Sequence, residues 1–172
     1  MEPGRKVALQ GLASSLALTA LYLESPHSLS FMASIIKDWP LAVAVIFSHN
    51  VFAVSVISLC MVFYANLASL PRARWLRGAN LVLRHPRAFS AFLSATVVLA
   101  SVLKGAAAAG ARPYEISTIL LLSLPVMLME GYGLYMAVKD ALTRSLNAST
   151  LLHVYSIFFA AALLEASLIT ML

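Results

Sequence analysis

Apolar residues run along this chain in five long blocks separated by short polar breaks: Val7–Leu23, Leu41–Leu70, Phe89–Leu103 continuing through Gly105–Gly110, Ile116–Val138 and Leu151–Leu172. No block shows the period-two alternation of a barrel strand, and the blocks match the roughly 17 to 25 helical residues that cross a hydrocarbon core. The pattern predicts an all-α polytopic membrane protein, a bundle of about five transmembrane helices in a single domain over residues 1–172. After the first block, Leu29, Met32, Ile35 and Ile36 recur at helical spacing ahead of Lys37, Asp38 and Trp39, which predicts a short interfacial helix. Pro40 suits the first turn of the next helix, where its missing N–H would have no partner in any case.

The first block follows Arg5 and Lys6 in the manner of a secretory signal. Its apolar stretch exceeds the usual signal core of about 7 to 15 residues, and Glu24-Ser25-Pro26-His27 offers no small-x-small cleavage site, so a retained helix is expected. Leu41–Leu70 would be about 45 Å long as a straight helix, more than the bilayer core. Ser48, His49 and Asn50 interrupt it a third of the way along, and a kink or a water-accessible entry is expected there. Ser90, Ser94, Ser101 and Gly105 form a small-residue stripe on the third span. Ser156 with Ala160, and Ala162 with Ala166, form small-xxx-small pairs on the last. Small residues let backbones approach where lipid removes the hydrophobic drive, so these stripes predict close helix packing and a homo-oligomer, with a dimer favoured.

Composition agrees with the pattern. The chain is 61% apolar and only 11% charged, with a mean hydropathy of +0.88, whereas a soluble domain is typically about a quarter charged. The basic residues then set an orientation. If spans alternate from a cytoplasmic amino terminus, inside segments hold Arg5, Lys6, Arg72, Arg74, Arg77, Arg84, Arg87, Lys139 and Arg144, and outside segments hold only Lys37, Lys104 and Arg112. The positive-inside rule therefore predicts a cell-membrane protein with its amino terminus in the cytoplasm and its carboxyl terminus outside. Arg72, Arg74, Trp75, Arg77, Arg84 and Arg87 share one loop with an amphipathic centre, from Pro71 to Arg87. That loop is either a topology determinant resting on anionic headgroups or a docking surface for a membrane or cytoplasmic protein partner. Topology already accounts for the net charge of +5, and beyond Trp75 no aromatic residues interleave with the basic ones, so no nucleic acid partner is expected.

The chemistry in reach is confined to a few polar residues inside apolar blocks: His49, Asn50, Asn66, Glu130, His153 and Glu165. An acid at the bilayer centre costs about 2.5 to 3.5 kcal/mol on insertion scales, so Glu130 should face other helices or a wet cavity. Treated as halfway points of antiparallel helices, Glu130 and Asn50 or His49 come to matched depth and should hydrogen-bond. Three roles for Glu130 stay open: a tether that fixes helix register, a group in ion or proton passage, and a partner or substrate site. Glu165 is nearer the end of its span, where a wet rim position competes with any role. Pro125, five residues before Glu130, is expected to kink the fourth span, and Gly131 and Gly133 to admit a close neighbour. The single cysteine, Cys60, rules out an intrachain disulfide, and no zinc-ligand spacing, nucleophile elbow or HisGluxxHis motif occurs. No cofactor and no enzymatic activity are expected.

Phe47-Ser48-His49-Asn50, Leu124-Pro125 followed by Glu130, and Ala161-Ala162-Leu163-Leu164-Glu165-Ala166 together give the chain a further character. Over roughly Ser28 to Leu172 it resembles the stage II sporulation protein M family, integral membrane proteins found also in organisms that do not sporulate. The family's second motif reads ProHisGlyxxGlu; Pro125 and Glu130 match it, while Val126 and Met127 replace the His and Gly. His49 stands where the first motif has one of two asparagines. The resemblance carries over Asn50, Pro125, Glu130 and Glu165, and implies a multipass scaffold or assembly subunit. It leaves open a small transporter or channel component, or the permease-like partner of a transport ATPase.

Overall fold

The computed structural model describes residues 38–68, 79–108 and 110–171. Among these residues the chain is helical and contains no strand: α1 (Trp39–Ala68), the short α2 (Ala79–Arg84), α3 (Pro86–Ala108), α4 (Pro113–Leu142) and α5 (Ala148–Met171). α1, α3, α4 and α5 are long and apolar enough to cross a membrane. Four of the five expected spans are therefore in view. The fifth, Val7–Leu23, lies outside the described residues, as do the expected interfacial helix up to Lys37 and Arg72, Arg74, Trp75 and Arg77 of the basic loop.

The helix ends follow local chemistry. Pro40, Pro86 and Pro113 each fall in the first two positions of a helix, where a missing N–H costs nothing. Glu115 accepts a 2.7 Å bond from the backbone N–H of Arg112 at the start of α4, and Asn147 Oδ1 accepts a 2.9 Å bond from the N–H of Thr150 at the start of α5. α4 ends in a Schellman turn: Ser145 N–H donates to the Asp140 carbonyl at 2.9 Å and Arg144 N–H to that of Ala141 at 3.3 Å. Arg144 occupies the left-handed position of that turn, with φ 59°, where glycine is usual.

α4 is the central helix. It packs on α1, α3 and α5, and α1 also packs on α5, so α1, α4 and α5 form a trio with α3 laid against α4. Hydrogen bonds fix the directions. Asn50 meets Glu130 and Arg144 reaches Ala65, so α1 and α4 run parallel. Ser55 meets Tyr155 and Trp39 meets Ser167, so α5 runs antiparallel to α1.

The core has two parts. Val54, Leu134, Ala137, Val138, Leu142, Val154 and Phe158 are buried where α1, α4 and α5 converge. Ala42, Val43 and Ile46 of α1 are buried against Ala162 and Ala166 of α5, so that small-residue pair is an intrachain seam. Its companion is not: Ser156 is exposed and Ala160 only half-buried. The stripe on α3 likewise divides. Ser90 and Ser94 are buried, each returning its hydroxyl to the carbonyl four residues back, whereas Ser101 and Gly105 are exposed. Gly133 is where α5 comes closest to α4, because a Cβ there would lie 3.0 Å from Phe158 Cε2. Gly131 has nothing within 4 Å of such an atom, so only one of the two glycines admits a neighbour.

At both positions where an irregularity is expected, the helix is continuous. α1 continues through Ser48, His49 and Asn50, since side chains of this size leave the backbone ladder intact. α4 likewise continues past Pro125, whose ring is accommodated on the outward face.

Candidate functional site

The polar residues of the spans gather around Glu130. Asn50 Nδ2 donates to Glu130 Oε1 at 2.6 Å, a short bond joining α1 to α4 between residues 80 positions apart. Both side chains are half-buried. The pairing does not come from antiparallel helices: α1 (Trp39–Ala68) and α4 (Pro113–Leu142) are parallel, and α4 is offset along α1 so that Glu130 comes level with Asn50. His49, the alternative donor, makes no hydrogen bond to Glu130. It is exposed, one position around the helix from Asn50.

Beside this bond lies a cleft of about 80 Å³ between α1 and α3, floored by α4 and α5. It exists because α1 and α3 both pack on α4 and scarcely on each other. Glu130, Asn50, His49 and Ser101 provide its polar lining, and Val54, Val97, Val98, Leu134 and Phe158 are among its apolar walls. The volume exceeds the roughly 10 to 15 Å³ that one water needs, and the polar lining supplies the partners water requires. Ser101 is the residue the sequence pattern assigns to packing and the fold assigns to this cleft. The available signal was its polarity within an otherwise apolar turn.

The remaining candidates lie around or apart from the cleft. Glu165 is half-buried on α5, close enough to Glu130 for the two carboxyl charges to interact, yet it makes no hydrogen bond to any described residue. That places it further inside the bundle than a wet rim. Pro125 is exposed on the outward face of α4, in line with Leu121 and Leu128, which are 75% and 65% exposed, so it does not join the polar group. His153 is exposed near the start of α5. Arg84 and Arg87, the described part of the basic loop, are exposed about His85 and Pro86, where they line a shallow hollow at the start of α3.

Two interactions and one unpaired hydroxyl were not foreseen. Ser55 meets the Tyr155 hydroxyl at 2.9 Å. Arg144 Nη2 donates at 3.1 Å to the Ala65 carbonyl near the end of α1, placing a cation where the helix dipole is negative. Ser58 Oγ, on a residue only 3% exposed, has no hydrogen-bond partner among the described residues. Among the described residues no group of three or more His, Cys, Asp or Glu could hold a metal ion.

The architecture is that of a membrane-embedded helical protein. No family model, no curated protein and no solved structure matches the chain.

Proposed function

We propose that the chain is a non-enzymatic multipass scaffold or assembly subunit of the cell membrane, of the stage II sporulation protein M type. The observation that carries the proposal is the 2.6 Å bond between Asn50 and Glu130. It engages the carboxyl of Glu130 in holding two helices that are distant in sequence. A bond of this kind is worth about 0.6 to 2 kcal/mol between membrane helices and selects one arrangement of them. Such an arrangement presents a fixed outer surface to other membrane proteins, including further copies of this chain as a dimer. The basic ends support the accompanying orientation. Arg84, Arg87, Lys139 and Arg144 lie at the α1-to-α3 and α4-to-α5 connections, and Arg112 with Lys104 at the opposite end. The basic segment from Pro71 to Arg87, with Arg72, Arg74, Trp75, Arg77, Arg84 and Arg87, is then cytoplasmic and serves as a docking surface for a partner.

Glu130→Gln retains an acceptor for Asn50 and removes the charge, whereas Glu130→Leu removes both. Assembly is read as the oligomer size of detergent-solubilised protein by light scattering. The tether reading expects Gln to assemble as wild type and Leu to lose assembly. Loss in both variants would show that ionisation is required, and retention in both would remove the tether from the explanation. The cleft beside Glu130 favours a second reading, a small transporter or channel component. It requires a proton or cation flux in liposomes that Glu130→Gln abolishes.

A further inference from the structure

The hydrogen-bond inventory of the cleft is unbalanced in one direction. Asn50 gives one of its two amide N–H groups to Glu130 Oε1, which leaves one N–H donor against two acceptors, its own carbonyl oxygen and Glu130 Oε2. Ser101 donates its hydroxyl to the Val97 carbonyl at 2.9 Å, so its oxygen also remains as an acceptor. Asn50, Glu130 and Ser101 line the same cleft, and among the described residues no lysine or arginine does. A carboxyl group between apolar walls, with no described cation beside it, is an electrostatic demand that a positively charged or proton-donating occupant meets.

We propose that this cleft is a binding site for a primary ammonium group. A primary ammonium presents three N–H donors and one positive charge, which matches three acceptors and one carboxylate. The organic substituent of the ligand lies against Val97, Val98 and Leu134, which line the same space. The volume of about 80 Å³ admits a small alkylammonium head. His49 stands at the same cleft and in its neutral form offers a fourth acceptor nitrogen. The inference does not rest on the scaffold proposal: binding and assembly respond differently to Glu130→Gln, which preserves the helix tether and removes the charge.

The test uses the full chain in phosphatidylcholine nanodiscs, with binding of radiolabelled methylammonium measured against tetramethylammonium, which has the charge but no N–H donor. Methylammonium should bind and tetramethylammonium should not compete. Glu130→Gln should weaken methylammonium binding by about tenfold or abolish it, the scale of one lost charged hydrogen bond. Ser101→Ala, at an exposed position outside the tether, should weaken it by about three- to tenfold while the helical circular dichroism is unchanged. Absence of methylammonium binding to the wild type overturns the proposal. So does equal binding of the two ions, or an unchanged affinity in Ser101→Ala. Should Glu130→Gln fail to fold, the Ser101→Ala result alone decides.

Discussion

Gly133 and Gly131 are one helical step of two residues apart on α4, and the fold assigns them opposite responses to the same added methyl group. At Gly133 a Cβ would lie 3.0 Å from Phe158 Cε2, 3.4 Å from Phe158 Cδ2 and 3.4 Å from Ile157 Cγ2. Carbon pairs are most stable at about 3.5 to 4.0 Å, so the closest contact is short by roughly half an ångström. Phe158 cannot easily yield, since it is buried in the core with Leu134 and Val154. Overpacking of this kind costs about 1 to 3 kcal/mol. Against it stands the gain of replacing glycine by alanine within a helix, about 0.8 to 1 kcal/mol. The balance for Gly133→Ala is a loss of up to about 2 kcal/mol. Gly131→Ala meets nothing within 4 Å and keeps the gain alone. The assay is reversible unfolding of the detergent-solubilised protein, with both variants compared with wild type in one denaturant series. Gly131→Ala should be at least as stable as wild type and Gly133→Ala less so. A Gly133→Ala variant as stable as Gly131→Ala would refute the close approach of α5 to α4 at this point.

Two further outcomes follow from single contacts and can be read in the same unfolding assay. Arg144→Ala keeps a non-glycine residue at φ 59° and loses the bond to Ala65, so it should destabilise by about 1 kcal/mol; Arg144→Gly relieves the left-handed strain and should recover part of that loss. Ser58→Ala deletes a buried hydroxyl that has no partner among the described residues, so it should be neutral or stabilising by up to about 1 kcal/mol, and a clear destabilisation would mean that the hydroxyl is bonded.

How far the sequence alone leads depends on which forces act locally. The apolar blocks show where the helices lie because span length is set by the bilayer. Pro40 and Pro113 mark two starts because proline is harmless only there. The partnership of Asn50 with Glu130 was also legible, since two hydrogen-bonding groups in apolar spans have few other partners. What could not be read was which way the helices run past each other at that point. Neither Ser101 nor Arg144 could be assigned its contact, because each depends on packing: Ser101 on the gap between α1 and α3, Arg144 on a left-handed turn aimed at another helix. Of the small-residue pairs, Ala162 and Ala166 became a seam and Ser156 did not, and spacing alone cannot distinguish them.

The polar contacts matter most because the apolar ones are permissive. The seam of Ala42, Val43 and Ile46 against Ala162 and Ala166 involves small and medium side chains. Such surfaces can slide by one helical turn, about 5.4 Å, and find similar van der Waals contact. Hydrogen bonds cannot slide in this way. If α4 moved one turn along α1, Glu130 would face Ile46 or Val54 in place of Asn50, and both are buried apolar residues with no side-chain donor. The carboxyl would then lose the one side-chain donor it has among the described residues. The same slip would carry Arg144 away from the Ala65 carbonyl at the far end of α1. Two bonds separated by 15 residues of α1, about 22 Å along its axis, therefore lock the parallel pair at both depths. Ser55 with Tyr155 imposes the same restriction on α5. A membrane scaffold needs this selection more than it needs added stability, because a partner can recognise its outer surface only if the bundle has one register.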